Sequence, residues 1–298
     1  MRVPTSQRPG DLLVAGHTVI DRYLDVRRLP QRDRTVPVRG IREVLGGTAA
    51  NIARAAAGRG LRTALVSRVG PDFPPPFREE LRQSHLVLDG FVSVPGQRSP
   101  SCVIVEDGRG GQMTLIDQGA MDATADAAIP LGLLRKYPWI HLTTGDPEYQ
   151  LRLLRAARAE GARVAADPAQ EIHYRWNARG LRRLLAGSEI FFGNEAEVRA
   201  AARTLTGGNA KRLTSLVPLV VVTRGRRGAR AYSRRGIVDV PGKKPKRLRQ
   251  VTGAGDSFRG GFYAAFLRGA PLASALEEGV DDAVRWIETA EFPRRRGR

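Results

Sequence analysis

The sequence predicts an α/β protein: a doubly wound, largely parallel central sheet flanked by helices, with a small inserted β-sheet. Three observations carry this. Short apolar runs of strand length alternate with helical patterns from about residue 11 to residue 290 of the 298, the rhythm of a sheet whose crossovers are helices. The run PLVVVT (218–223) is apolar throughout rather than alternating, as a strand buried on both faces should be. Two stretches, 17–45 and 98–117, break the rhythm with candidate strands and no helix between them.

Taken in order, LLVAG (12–16) reads as the first strand and 49–59 as the first helix, followed by the strand TALVSRV (63–69) and a helix over 75–85. WIHL (139–142), ARVAAD (162–167), EIFFG (189–193) and PLVVVT supply further strands. Helical patterns at 147–160, 177–186 and 194–204 separate them, and a last helix spans 272–290. TVPVRGIREV (35–44), SCVIVE (101–106) and QMTLI (112–116), punctuated by the glycine turn DGRGGQ (107–112), are expected to pair antiparallel as the small sheet. No fixed-period repeat or low-complexity linker interrupts the chain. One domain is therefore expected over 11–290, carrying a lid built from 17–45 and 98–117, with a basic tail at 291–298.

Composition removes several function classes. A hydrophobic fraction of 42% is too high for a disordered chain. No apolar run approaches the roughly 20 residues of a membrane helix, and the start, MRVPTSQRPGD, lacks the apolar core of a signal peptide, so a cytoplasmic location is expected. The single Cys102 excludes an internal disulfide, and His17, His85, His141 and His173 have no metal-ligand spacing. Lys plus Arg total 49 against 30 acids, a net charge of +19, and lysine occurs only at 136, 211, 243, 244 and 246. That charge suits a polyanion, but the arginines are spread along helices such as RLLRAARAEGAR (152–163), which favours a solvated basic surface over a nucleic-acid partner.

The stretch VTGAGDSFRGGFYAAF (251–266) carries the chemistry. Gly253, Ala254 and Gly255 lead into an amphipathic helix with Phe258, Phe262 and Phe266 on one face. A glycine turn feeding a helix start presents backbone N–H groups to an anion, here a phosphate or a phosphoryl group in transfer. Asp256 inside this turn has two open roles, helix cap or catalytic base. No GxxxxGK[ST] exists and no GxGxxG has the right spacing, so neither a Walker loop nor a dinucleotide fingerprint handles phosphate here. A second glycine element lies at 44–72, where Gly46 and Gly47 permit close backbone approach and Asn51 follows in the first turn of a helix.

Gly46-Gly47-Thr48-Ala49-Ala50-Asn51 and Thr252-Gly253-Ala254-Gly255-Asp256 resemble the two signatures of the ribokinase-like (PfkB-type) sugar and nucleoside kinases. Three further matches follow that family's order: GHTVID (16–21), Asn194-Glu195-Ala196-Glu197, and Val222-Thr223-Arg224-Gly225 with Gly228-Ala229. The resemblance implies a ribokinase-like fold and an ATP-dependent kinase acting on an alcohol group. Asp256 would be the general base, kept ionised by the helix N-terminus, and the N–H groups of residues 253–255 the anion hole. Asp21, Gly46, Gly47, Asn51 and Gln170, the last in DPAQ (167–170), would hold the acceptor. Thr223, Arg224, Gly225, Gly228 and Asn194 would contact the nucleotide, and Asn194 with Glu197 would order Mg2+ through water.

GAM (119–121) and Arg259 are similar to segments of nucleoside kinases and tilt the acceptor toward a nucleoside or free sugar. His17 also occurs in inositol-kinase-like relatives, and Arg39 and Arg42 could clamp a sugar phosphate, which keeps those acceptors as alternatives. An inactive, basic nucleic-acid-binding relative is the alternative of another class. Gln250 stands where the family usually has an acid of a monovalent-cation site, which puts activation by potassium in doubt. A homodimer formed through the lid is a further expectation.

Overall fold

The structure, a computed structural model, describes residues 8–109, 111–122, 124 and 127–291. The first half runs β1 (Leu12–Ala15), β2 (Val19–Val26), β3 (Val38–Gly46), α1 (Thr48–Gly58), β4 (Thr63–Val69), α2 (Pro75–Gln83), β5 (Val87–Ser93), β6 (Ser101–Glu106) and β7 (Gln112–Asp117). The second half contributes α3 (Leu131–Leu134), β8 (Trp139–Leu142), α4 (Pro147–Ala159), β9 (Arg163–Ala166), α5 (Ala178–Ala186) and β10 (Ile190–Asn194). It continues with α6 (Glu195–Thr206), β11 (Leu219–Thr223), β12 (Ala229–Ser233), β13 (Gly236–Val240), α7 (Ala254–Phe266) and α8 (Leu272–Thr289).

Nine strands form the central sheet in the order β13-β12-β11-β10-β9-β8-β1-β4-β5. It is parallel from β5 to β11, and the β11–β12–β13 edge is antiparallel. Its two faces alternate as a pleat requires. Leu12, Val14, Phe192 and Val221 pack with α1, α7 and α8, while Leu13, Ala15, Phe191 and Val220 pack with α4, α5 and α6. The chain leaves β1 toward β4 on one side and returns to β8 on the other. That makes the β1–β8 boundary the topological switch point, where α/β sheets open a crevice for ligands.

A separate four-stranded sheet has the order β3-β2-β6-β7 and is made of the two rhythm-breaking stretches. The expectation that its strands are all antiparallel needs correction: β2–β3 and β6–β7 are antiparallel, but β2 and β6 run parallel. Between them the chain makes a long crossover through α1, β4, α2 and β5, and so re-enters in the same direction. The sequence reading named no strand at β2, β5, β12 or β13. VLDGFVS, ARAYS and GIVDV are short and polar-interrupted, so their apolar signal is weak. Residues 292–298 of the basic tail lie outside the described residues. Among the described residues, no helix is long and apolar enough to cross a membrane.

Candidate active site

Two helix starts converge over the switch point. α1 begins after Gly47, whose φ of 98° lies in the left-handed region. A Cβ there would come within 2.5 Å of the His17 carbonyl oxygen, so the chain can pass this close to the end of β1 only as glycine. α7 begins after Gly253, also left-handed at φ 91°. The helices cross where Gly260 meets Ala55 and Ala56: a Cβ on Gly260 would overlap the Ala55 side chain and stand 2.8 Å from its carbonyl carbon. Small residues at this crossing let the backbones approach and bring together two residues 205 apart in sequence, with Asn51 Nδ2 donating to Asp256 Oδ2 at 2.9 Å.

Asp256 is therefore no cap. Gly253 is the N-cap residue of α7, without a side-chain cap, and Asp256 is the third residue of the helix with its carboxylate turned toward α1. The anion-hole expectation is narrowed as well. The Ala254 N–H is engaged by the Val251 carbonyl at 3.1 Å and the Ser257 N–H by Gly253 at 2.9 Å, so the N–H groups of Gly255 and Asp256 are the ones a helix start leaves for a ligand.

A cavity of about 850 Å³ opens beside this pair, under the second sheet, with Asp21, Tyr23, Arg42, Gly46, Asn51 and Gln250 in its lining. Asp21 projects from β2 over Gly46, where any Cβ would overlap its carboxylate. Three sequence-identified residues, Asp21, Gly46 and Asn51, thus line one cleft, and Asp256 adjoins it through its hydrogen bond with Asn51. Gln170 does not join them. It is exposed on the short turn over 169–173, which instead turns Glu171 inward, where Glu171 Oε2 accepts from the Gly145 N–H at 2.6 Å. Arg39 and Arg42 are engaged rather than waiting for a phosphate: Arg39 reaches Asp25 at 3.1 Å, and Arg42 reaches Glu106 at 2.8 Å while lying 3.9 Å over the Tyr23 ring. Gln250 Nε2 donates to the Tyr23 hydroxyl at 3.0 Å, a neutral link between the loop before α7 and the second sheet.

The electrostatics depart from the expectation that the helix start keeps Asp256 ionised. Asp256 is half-buried, and loss of solvent pushes its carboxyl up to about 7, against the opposing pull of Arg259 and the Asn51 hydrogen bond. Enclosure does the same to Asp21, also up to about 7, and its neighbour Cys102 is pushed up to about 12 by burial and by the Asp21 charge. Desolvation of the carboxylate outweighs the N-terminal dipole.

On the other side of α7, Asn194 and Glu197 lie at the start of α6. Asn194 Oδ1 accepts from the Ala196 and Glu197 N–H groups at 2.9 and 3.0 Å, and Glu197 Oε2 accepts from the Asn194 N–H at 2.7 Å, a reciprocal capping box. Glu197 Oε1 is the acceptor this box leaves for a hydrated cation, and Asn194 Nδ2 is left as a donor that suits a phosphate oxygen. Burial pushes the Glu197 carboxyl up, with the Asp167 charge adding to the shift and the Asn194 N–H and Arg259 opposing it. Asn194 pairs in register with Thr223 at the end of β11, which leads into the 225–227 turn. Gly225 there is open, with φ 55° and nothing near its Cβ position. Gly228 is explained by packing, since a Cβ would overlap Val240 and stand 2.5 Å from Pro241. Arg224 is held by Asp239 at 2.9 Å.

Sequence reading gave no role to a buried set behind the site: Asp167, His141 and Tyr263, with Arg259 marked only as a motif match. Arg259 Nε and Nη2 grip Asp167 at 2.6 and 3.0 Å, and Tyr263 Oη lies 2.7 Å from His141 Nδ1. The available signal was a charged residue at position 259, between Phe258 and Phe262, on a helix that must bury itself; such a charge requires a buried counter-ion.

The chain matches the family model described as pfkB family carbohydrate kinase over residues 10–284. A nucleoside kinase of Methanothermobacter thermautotrophicus is 33% identical over 264 residues, 88% of this chain and 84% of that protein. A cytidine kinase of Thermococcus kodakarensis is 33% identical over 288 residues, 92% of this chain and 94% of that one. The crystal structure of the nucleoside kinase of Methanocaldococcus jannaschii, a member of the ribokinase family, superposes with a TM-score of 0.87 over 96% of this chain and 94% of that one, at 24% identity, and shows the same fold. A family match across nearly the whole chain, relatives a third identical along its length and a ribokinase-like fold establish that the chain belongs to the pfkB family of carbohydrate kinases, phosphotransferases acting on a sugar or a nucleoside.

Proposed function

We propose that the protein transfers the γ-phosphoryl group of Mg-ATP to a hydroxyl of a nucleoside. The carrying observation is the contact of Asp256 with Asn51, a lining residue of the 850 Å³ cleft, in a chain a third identical to nucleoside and cytidine kinases. Asp21, Asn51 and the Gly46–Gly47 backbone orient the acceptor's hydroxyls. Asp256, once ionised, takes the proton of the attacking hydroxyl as its oxygen bonds to phosphorus and the bond to the nucleoside diphosphate breaks. The Gly255 and Asp256 N–H groups at the start of α7 hold the charge that develops. Mg-ATP, when bound, supplies the phosphoryl group and the cation that neutralises it. Asn194 and Glu197 would hold that cation through water, and Thr223, Arg224, Gly225 and Gly228 would line the nucleotide.

Pairing of Arg39 and Arg42 within the second sheet favours an uncharged acceptor over a sugar phosphate. A phosphorylation screen over cytidine, adenosine, guanosine, inosine, ribose, myo-inositol and fructose 6-phosphate tests this. Turnover of fructose 6-phosphate alone overturns it. The second sheet is proposed as a lid over the cleft and as the dimer surface. Ile41, Leu24, Val103 and Leu115 share its outer face by register, and Ile41 and Leu115 are 67% and 60% exposed, an apolar face suited to a second copy. A monomeric mass at micromolar concentration refutes the dimer.

A further inference from the structure

Behind the catalytic cleft, α7 is fastened to the sheet by two side chains one helical turn apart. Arg259 grips Asp167, just past the end of β9, with two parallel hydrogen bonds of 2.6 and 3.0 Å, and its Nη1 donates back to the Gly255 carbonyl at 3.0 Å. Tyr263 reaches His141 on β8, whose Nε2 lies 3.4 Å from Asp167 Oδ2. A neutral His141 protonated on Nε2 joins the set into one chain: the Tyr263 hydroxyl donates to Nδ1, and Nε2–H faces the carboxylate. Burial favours that neutral imidazole. Arg259 is 5% exposed, and Asp167, His141 and Tyr263 are fully buried.

A buried ion pair of this kind is a weak device for stability, because apolar side chains of similar volume would fill the space as well. Its position is informative instead. Arg259 is bonded to the turn that presents Asp256, and its guanidinium lies 5.6 Å from the Phe192 ring of β10. The charged and titratable groups surrounding Asp256 and this pair come from five places, Asp21 of β2, His141 of β8, Asp167 beyond β9, Glu197 of α6, and Arg259 and Tyr263 of α7, while Asn51 of α1 adds a neutral donor.

We infer that Arg259 and Asp167, extended by Tyr263 and His141, are positioning residues of the phosphoryl transfer: they lock the first turns of α7, with Asp256, onto the ends of β8 and β9, and they fix the net charge that Asp256 faces. The inference rests on reading Asp256 as the base. Burial alone would push Asp167 up, but Arg259 and His141 overcome it and hold the carboxyl down to about 2, so the intact pair presents Asp256 with a dipole rather than a charge. Removing either half leaves a net charge of opposite sign beside Asp256.

The test follows the Asp256 carboxyl by 13C NMR of aspartate-labelled protein, assigned with Asp256→Asn, alongside kcat on the best nucleoside of the screen. In Asp167→Asn the unpaired guanidinium should move the Asp256 titration down by about one pH unit or more, and in Arg259→Gln it should move up by a similar amount. The neutral double variant, Arg259→Gln with Asp167→Asn, should titrate within about half a unit of wild type yet turn over about tenfold or more slowly, because the clamp is gone. Arg259→Lys, which keeps the charge without the two-point grip, should likewise lose turnover without moving the titration. The double variant and Arg259→Lys leave no uncompensated buried charge and remain informative if a single variant fails to fold. Shifts of the same sign in the two single variants, or wild-type turnover in the double variant, overturn the inference. Wild-type turnover in Asp256→Asn would instead overturn the reading of Asp256 as the base, while the NMR shifts would still report on the clamp.

Discussion

Replacing Asp256 by asparagine separates activity from stability in a way only a catalytic carboxylate predicts. The amide oxygen introduced by Asp256→Asn can still accept from Asn51 Nδ2, so the 2.9 Å contact across α1 and α7 survives. What disappears is a carboxylate held in a poorly solvated place. Its carboxyl titrates at about 7 rather than the ordinary 3.8, about 3 units at roughly 1.4 kcal/mol each, or about 4 kcal/mol as a ceiling on the penalty of charging it at pH 8. Because Asp256 is only half-buried, solvent screening reduces this to about 1–2 kcal/mol. The variant should therefore melt at the same temperature as wild type or a few degrees higher at pH 8. Its turnover should fall on the order of 10²–10⁴-fold, the usual loss when a general base is removed. Wild-type kcat/KM should rise with pH through about 7 as the base ionises, and the residual rate of the variant should lack that limb. Coupled measurement of nucleoside diphosphate release from pH 5.5 to 9, with thermal melts at each pH, decides. More than about a tenth of wild-type turnover, or a fall of several degrees in melting temperature, would refute the reasoning.

Stability should itself depend on pH. Asp21, Asp256 and Glu171 each titrate near 7 in the fold, far above their unfolded values, so the native state holds more protons and loses stability as pH rises through 7. Between pH 6.5 and 8 each contributes up to about 0.8 kcal/mol, and the melting temperature should drop by about 3–5 °C across that window; His17, depressed to about 4, opposes this only below its unfolded value of 6.5. A melting temperature that is flat or rising from 6.5 to 8 contradicts the assignment. Gly260→Val should push α7 from Ala55 and separate Asn51 from Asp256, lowering turnover at least tenfold and stability by about 1–3 kcal/mol; wild-type kinetics would show that the close crossing does not set the site. Glu197→Gln should raise the magnesium concentration giving half-maximal rate, and an unchanged magnesium response would remove Glu197 from cation ordering.

Much of the molecule was legible without coordinates. The alternation of apolar runs and helical patterns gives the central sheet because each strand is buried on both faces and each crossover helix must cover one of them. The glycine pairs at 46–47 and 253–255 stand out because positive φ and close backbone approach tolerate little else, and the structure shows a positive φ at Gly47 and Gly253 and a close backbone approach at Gly47. Other features depend on which distant residues meet. The parallel pairing of β2 with β6 follows from a crossover whose path no local pattern encodes. Asp256 could be read as a cap or as a base until α7 was seen to start at Gly253 and α1 to present Asn51. Its charge state likewise escaped sequence reasoning, which knows that a helix start attracts an anion but not how much water the fold takes away. The Arg259–Asp167 pair spans 92 residues and exists only where α7 lies on the end of β9. Spacing along the chain reports backbone constraints, which are local; burial and charge compensation are set by contacts between elements far apart in sequence, and only the tertiary structure decides them.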